Sequence, residues 1–155
     1  MKTLNSLIQE IESKVDYHEL ENLAVSKSTI SWQIDHSLKV VNGIIYALKN
    51  SDTADYKWSF NLKRSLIFFT QNIPRGVAKA PKSVQSYEKI EKQDLINQIE
   101  LSKKLILDLE KLEPKNNFKH PFLGVLNLKQ TKKFLKIHTN HHIKIINDIL
   151  ATKKS

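Results

Sequence analysis

Three of the six histidines fall in one short string, His138-Thr139-Asn140-His141-His142. In a helix, His138 and His142 stand about 40° apart around the axis and roughly 6 Å apart along it. Two imidazoles so placed can reach one metal ion from one face. Which face they share decides whether they do. Thr131, Leu135, His138, His142, Ile145 and Ile149 recur at three- and four-residue intervals and make an apolar stripe, while Lys129, Lys132, Lys133, Lys136 and Lys144 fall on the other side. Histidines in the middle of a buried stripe need partners, because an unpaired polar group is costly to bury. His141 is turned about 60° from His138, toward Phe134 and the edge of the stripe. It could be a fourth ligand, a general base or a rim residue.

His36 has a similar setting. It shares a stripe with Trp32, Val40, Gly43 and Ala47, and the two small residues would let a neighbouring helix come close. A lone histidine on an apolar face is often a satisfied core residue, and an HxxxH pair arises readily by chance. Three inward imidazoles from two helices are a different matter, since bundle cores build metal sites from facing helices in this way. Neutral imidazoles suit zinc and other borderline divalent ions. The chain has no cysteine, which excludes thiolate sites, disulfides and thiol catalysis. No HExxH pattern supplies the glutamate base of a metalloprotease, and the carboxylate-rich ligand set of a di-iron bundle is missing.

The elements that must position these residues read as helices. Three glycines and four prolines in 155 residues, with few alternating runs, predict an all-α fold in one domain. Helices are expected over about 3–15, 31–49, 59–72, 92–112 and 128–152, the third being short. Leu4, Leu7, Ile8 and Ile11 form the stripe of the first. Ile34, Leu38, Val41 and Ile45 form one side of the second, with Ser28, Thr29 or Ser31 as its cap. Leu95, Ile96, Ile99, Leu105, Ile106 and Leu109 line the fourth, and Asn127 caps the last. Long connections lie over VAKAPKSVQSYEKI and PKNNFKHPFLGVLN. Trp32 and the Phe68–Phe69 pair read as core.

The net charge is +9, but the basic residues are nearly all lysines, spread along the chain, with Arg64 and Arg75 the two arginines. Specific nucleic-acid readout leans on arginine's planar fork, so a solvated lysine surface is the better reading. No stretch approaches the roughly 20 apolar residues of a membrane span. The amphipathic start, MKTLNSLIQEIESK, lacks the uninterrupted apolar core of a secretory signal. A cytoplasmic protein acting on a small-molecule substrate, with no membrane involvement, is expected.

Residues 118–149, FKHPFLGVLNLKQTKKFLKIHTNHHIKIINDI, resemble the DinB/YfiT-like superfamily of metalloenzymes. There an HxxxH pair on the last helix supplies two ligands, and one branch has an "HP-aromatic-G" element before that helix, here His120, Pro121, Phe122 and Gly124. SWQIDHSLKVVNGII, residues 31–45, resembles the helix that carries the third ligand, and IPRGVAKAP resembles a branch feature. The resemblance implies a four-helix bundle of up-down-down-up topology, often dimeric, with His36, His138 and His142 holding zinc, nickel or iron. It also implies a metal-dependent enzyme, with S-transfer using a low-molecular-weight thiol or hydrolysis as the candidate reactions. A non-catalytic metal-binding or stress-response bundle is the alternative. After His142 the chain reads Ile143-Lys144-Ile145, where many relatives have Arg-Gly-Gln. His141 and His120 are then candidates for proton transfer. Arg75 and Lys79 are candidates for binding an anionic substrate or cofactor group. For Arg75 and Lys79 a solvated loop is the alternative, and for His120 a turn position.

Overall fold

Four of the five α-helices begin where a side chain takes up an orphaned amide. At the first, α1 (Leu4–Glu12), the Ser6 amide donates to Thr3 Oγ1. At α2 (Ile30–Lys49), Thr29 is the cap, accepting from the Trp32 amide at 3.2 Å. At α3 (Leu62–Thr70), Asn61 accepts from the Arg64 amide. The fourth, α4 (Lys92–Leu109), has no side-chain cap. The fifth, α5 (Leu128–Ala151), opens on a reciprocal pair: the Gln130 amide donates to Asn127 Oδ1 and the Asn127 amide to Gln130 Oε1. The computed structural model describes residues 2–76, 84 and 89–151.

The expected stripes of α1 and α2 are the core. Leu7, Ile8, Ile11, Ile34, Leu38, Val41 and Ile45 are all fully enclosed. Helix α2 packs on α4 and α5, and α1 packs on the same two. On α4, Leu95, Ile99, Leu105, Ile106 and Leu109 face inward as expected, whereas Ile96 lies partly in solvent.

Three expectations are corrected. The fold is mostly helical as expected, but the connection over PKNNFKHPFLGVLN holds two strands: β1 (Asn117–His120) and β2 (Gly124–Asn127) form an antiparallel hairpin pairing Phe118 with Leu126 and His120 with Gly124. Gly124 turns the chain back at φ +73°, a conformation that disfavours any side chain. His120 Nδ1 accepts from the Phe122 and Leu123 amides and so closes the turn. Second, the stripe of His36 does not stay inside along α2. Gly43 and Ala47 are exposed, and nothing lies within 4 Å of where a Gly43 Cβ would be. Third, α3 ends before Pro74, at Thr70, because Gln71 adopts a left-handed conformation. Phe68 of this helix is half-buried, as a core residue would be, but Phe69 is 88% exposed.

Candidate metal centre

Helices α2 and α5 are in contact, and their facing stripes carry the three histidines. His36 from α2 and His138 and His142 from α5 each offer a ring nitrogen, and these nitrogens lie within 4.8 Å of one another. His36 and His142 are 5% and 6% exposed, while His138 keeps more of its surface open. The ring centroids are 4.6 Å apart for His138–His142, 4.8 Å for His36–His142 and 5.2 Å for His36–His138.

Hydrogen bonds fix two of the tautomers. His36 Nδ1 is 3.0 Å from the Val84 carbonyl oxygen, so it must carry the proton and donate. His142 Nδ1 likewise donates to Gln33 Oε1 at 2.7 Å, while the other end of that amide donates to Ser26 Oγ. Both rings therefore hold their Nε2 lone pairs available in the neutral state. Ligating histidines are commonly anchored through the second nitrogen in this manner. His138 Nδ1 is buried and has no hydrogen-bond partner among the described residues. His138 Nε2 and His142 Nε2 are 3.3 Å apart. That matches the edge of a tetrahedron with metal–nitrogen bonds of about 2.0–2.1 Å, which is about 3.3–3.4 Å. The three histidine nitrogens could hold a metal ion, with the His138–His142 pair at bonding separation and the group as a whole within 4.8 Å.

Burial keeps these rings uncharged. Desolvation is the largest cause of a lowered pKa at His36, and at His138 and His142 it lowers the pKa well below 6.5, with the neighbouring imidazoles adding to it. A neutral imidazole is the form that binds a metal.

The second-tier residues fall at the margins. His141 lies beside His142, with centroids 5.1 Å apart, and is half-buried. Burial lowers its pKa, as do the nearby charges of Arg75 and Lys144, against a bond to the Ile73 backbone. His120 Nδ1 is committed to the hairpin turn, its ring packs edge-on against Phe134, and burial pushes its pKa down to about 4. Arg75 reaches Asp148 at 2.7 Å on the surface. Lys79 lies outside the described residues. Asp35, next to His36 in sequence, points elsewhere, bonding Gln98 and pairing with Lys39.

Sequence spacing misses Gln33 and Trp32. Trp32 stacks on His36 with ring planes 7° apart, and Gln33 orients His142. The available signal for Gln33 is an amide one turn before His36 on the same helix. The Val84 contact is made by a backbone oxygen, which no residue type announces. No family model, curated protein or solved structure matches the chain.

Proposed function

We propose that His36, His138 and His142 hold one divalent ion, zinc, nickel or iron, and that the chain is a cytoplasmic metal-dependent transferase or hydrolase of the DinB/YfiT-like kind. On this reading α1, α2, α4 and α5 are the four helices of an up-down-down-up bundle, and the protein pairs with a second copy as many of those proteins do. One observation carries the reading: three neutral imidazoles converge, two of them anchored through Nδ1 so that Nε2 is left to ligate.

An ion with three protein ligands keeps a position open, where it can lower the pKa of a water or favour the thiolate of a bound thiol. The chain's residues would do the rest. Trp32 braces the His36 ring, Gln33 holds His142 in one tautomer, and the half-buried His141 is a neutral proton acceptor at the rim. His120 uses its Nδ1 lone pair to close the hairpin and so carries its proton on Nε2, where it can donate a hydrogen bond but has no lone pair to act as a base.

The near-complete enclosure of His36 and His142 favours a second reading, a metal-binding bundle without turnover. Metal-loaded protein assayed with a panel of thiols and electrophiles, and with activated esters, separates the two. The enzyme reading predicts turnover that disappears in His138→Ala. Full metal occupancy with rates equal to the blank would overturn it and leave the binding bundle.

A further inference from the structure

Helix α3 turns Arg64 inward, with Ile67 and Phe68 packed against the core beside it. Around its axis Leu62, Leu66 and Phe69 span only about 60°, and Arg64 lies on the opposite side. Arg64 is 4% exposed, and its guanidinium donates to the carbonyls of Leu123, Val125 and Ser59. Asn61 Nδ2 also donates to the Phe122 carbonyl. The helix is thus fastened to the hairpin by hydrogen bonds, and it lies outside the main helix packing. Leu62, Leu66 and Phe69 are 72%, 61% and 88% exposed. The extended approach continues the face: Phe60 and Leu62 flank the extended Asn61, and Phe60 and Trp58 are 69% and 66% exposed. Phe122, at the hairpin turn, is 47% exposed. Together these side chains expose on the order of several hundred Å² of apolar surface, the size of patch that often marks an interaction site.

The charge of the same region is one-sided. None of the 16 acidic residues falls within 56–76 or 114–147, although those two stretches hold eleven of the 25 lysines and arginines. Residues of the two stretches touch: Arg64 and Asn61 bond the hairpin, and Lys133 Nζ sits over the Phe68 ring at 5.3 Å. Lys57, Lys63 and Lys119 are exposed beside the apolar side chains. Lys132 pairs with Glu110 and Arg75 with Asp148, both acids lying outside the two stretches, so the positive charge beside the apolar side chains is that of exposed lysines such as Lys57, Lys63 and Lys119.

We propose that this surface docks on an anionic lipid membrane, with Trp58, Phe60, Leu62, Leu66 and Phe69 entering the headgroup–acyl boundary and the lysines meeting lipid headgroups. Aromatic and leucine side chains flanked by lysine are the composition of interfacial segments, which need no spanning helix. No helix among the described residues is long and apolar enough to cross a membrane. A second copy meeting the same patch would set lysine against lysine. Nucleic acid is disfavoured because the two arginines are occupied with backbone carbonyls and Asp148 and leave no guanidinium for phosphate or base contacts.

The test is co-sedimentation of the full chain with phosphatidylglycerol–phosphatidylcholine vesicles and with phosphatidylcholine vesicles. Leu66→Ser/Phe69→Ser serves as the variant, since both side chains are exposed and far from the core. Binding is expected only to the anionic vesicles, weakened at least ten-fold in the variant, with a blue shift of tryptophan emission that is lost in Trp58→Phe. No binding to anionic vesicles would overturn the proposal. So would equal binding by the variant, which would reduce the effect to lysine charge. A concentration-dependent dimer abolished by the variant, without vesicle binding, would assign the patch to a second copy instead.

Discussion

Between them, the Nδ1 bonds of His36 and His142 assign two roles: the Nδ1 protons are donated to the oxygens of Val84 and Gln33, and the Nε2 atoms face the shared space. Removing such an orienting partner typically weakens metal affinity 10- to 100-fold. Gln33→Leu is therefore expected to fold, keep a near-native spectrum, and release its ion to a competing chelator at about 10- to 100-fold lower chelator activity. Unchanged affinity would show that Gln33 is packing only. At this scale the sequence was informative where chemistry follows side-chain periodicity. The i, i+4 pair of His138 and His142 needs only the helix wheel to be placed together. Pairing His36 with them required knowing which face of α2 meets α5, and the family resemblance supplied part of that. The anchoring oxygen of Val84 is 48 residues from His36 and belongs to the backbone, so no motif carries it.

Among the elements, the helices follow from apolar spacing and caps, with every end within three residues of expectation. The hairpin does not. Its strands have four residues each, too short for an alternating pattern to stand out, and its turn depends on a histidine nitrogen and a positive-φ glycine. Nor does spacing reveal that Arg64 is the inward residue of α3, because an arginine beside two leucines ordinarily marks the solvent side. Arg64→Leu would leave buried carbonyls of the hairpin without donors. A loss of about 2–4 kcal/mol is expected, read as a lower urea midpoint. Amide exchange should accelerate first in α3 and β2, the two elements that Arg64 ties together. An unchanged midpoint would mean that water replaces the guanidinium at no cost. Thr29→Ala, by contrast, removes one cap and should lower stability by about 1 kcal/mol.

For the molecule as a whole, the buried histidines make stability depend on pH. In the unfolded chain histidines take up protons near pH 6.5, whereas burial keeps His36, His138, His142 and His120 neutral to lower pH in the folded protein. Above pH 6.5 both states are neutral there and these groups contribute no pH dependence. Below it the unfolded state binds more protons, so stability falls as pH falls, by up to about 1.4 kcal/mol per pH unit for each such histidine. The window runs from about 6.5 down through the lowered values, to about 4 for His120. Thermal melts of metal-free protein between pH 7.5 and 5 should show a falling midpoint, and His120→Gln should flatten the slope. A flat profile across that range would mean that these rings are solvated. Bound metal holds its ligands unprotonated and raises stability by mass action. The metal-loaded protein should therefore melt higher than the metal-free protein at neutral pH.

The central claim is that three histidines from two helices hold one ion. The direct measurement is metal stoichiometry by inductively coupled plasma mass spectrometry. It is made on natively purified protein and on His36→Ala, His138→Ala and His142→Ala, each checked for helix content by circular dichroism. About one divalent ion per chain in the unsubstituted protein, and its loss in all three folded variants, is the predicted result. Metal retained equally in the variants, or no uptake by the unsubstituted protein after incubation with zinc, nickel or iron(II), would contradict it.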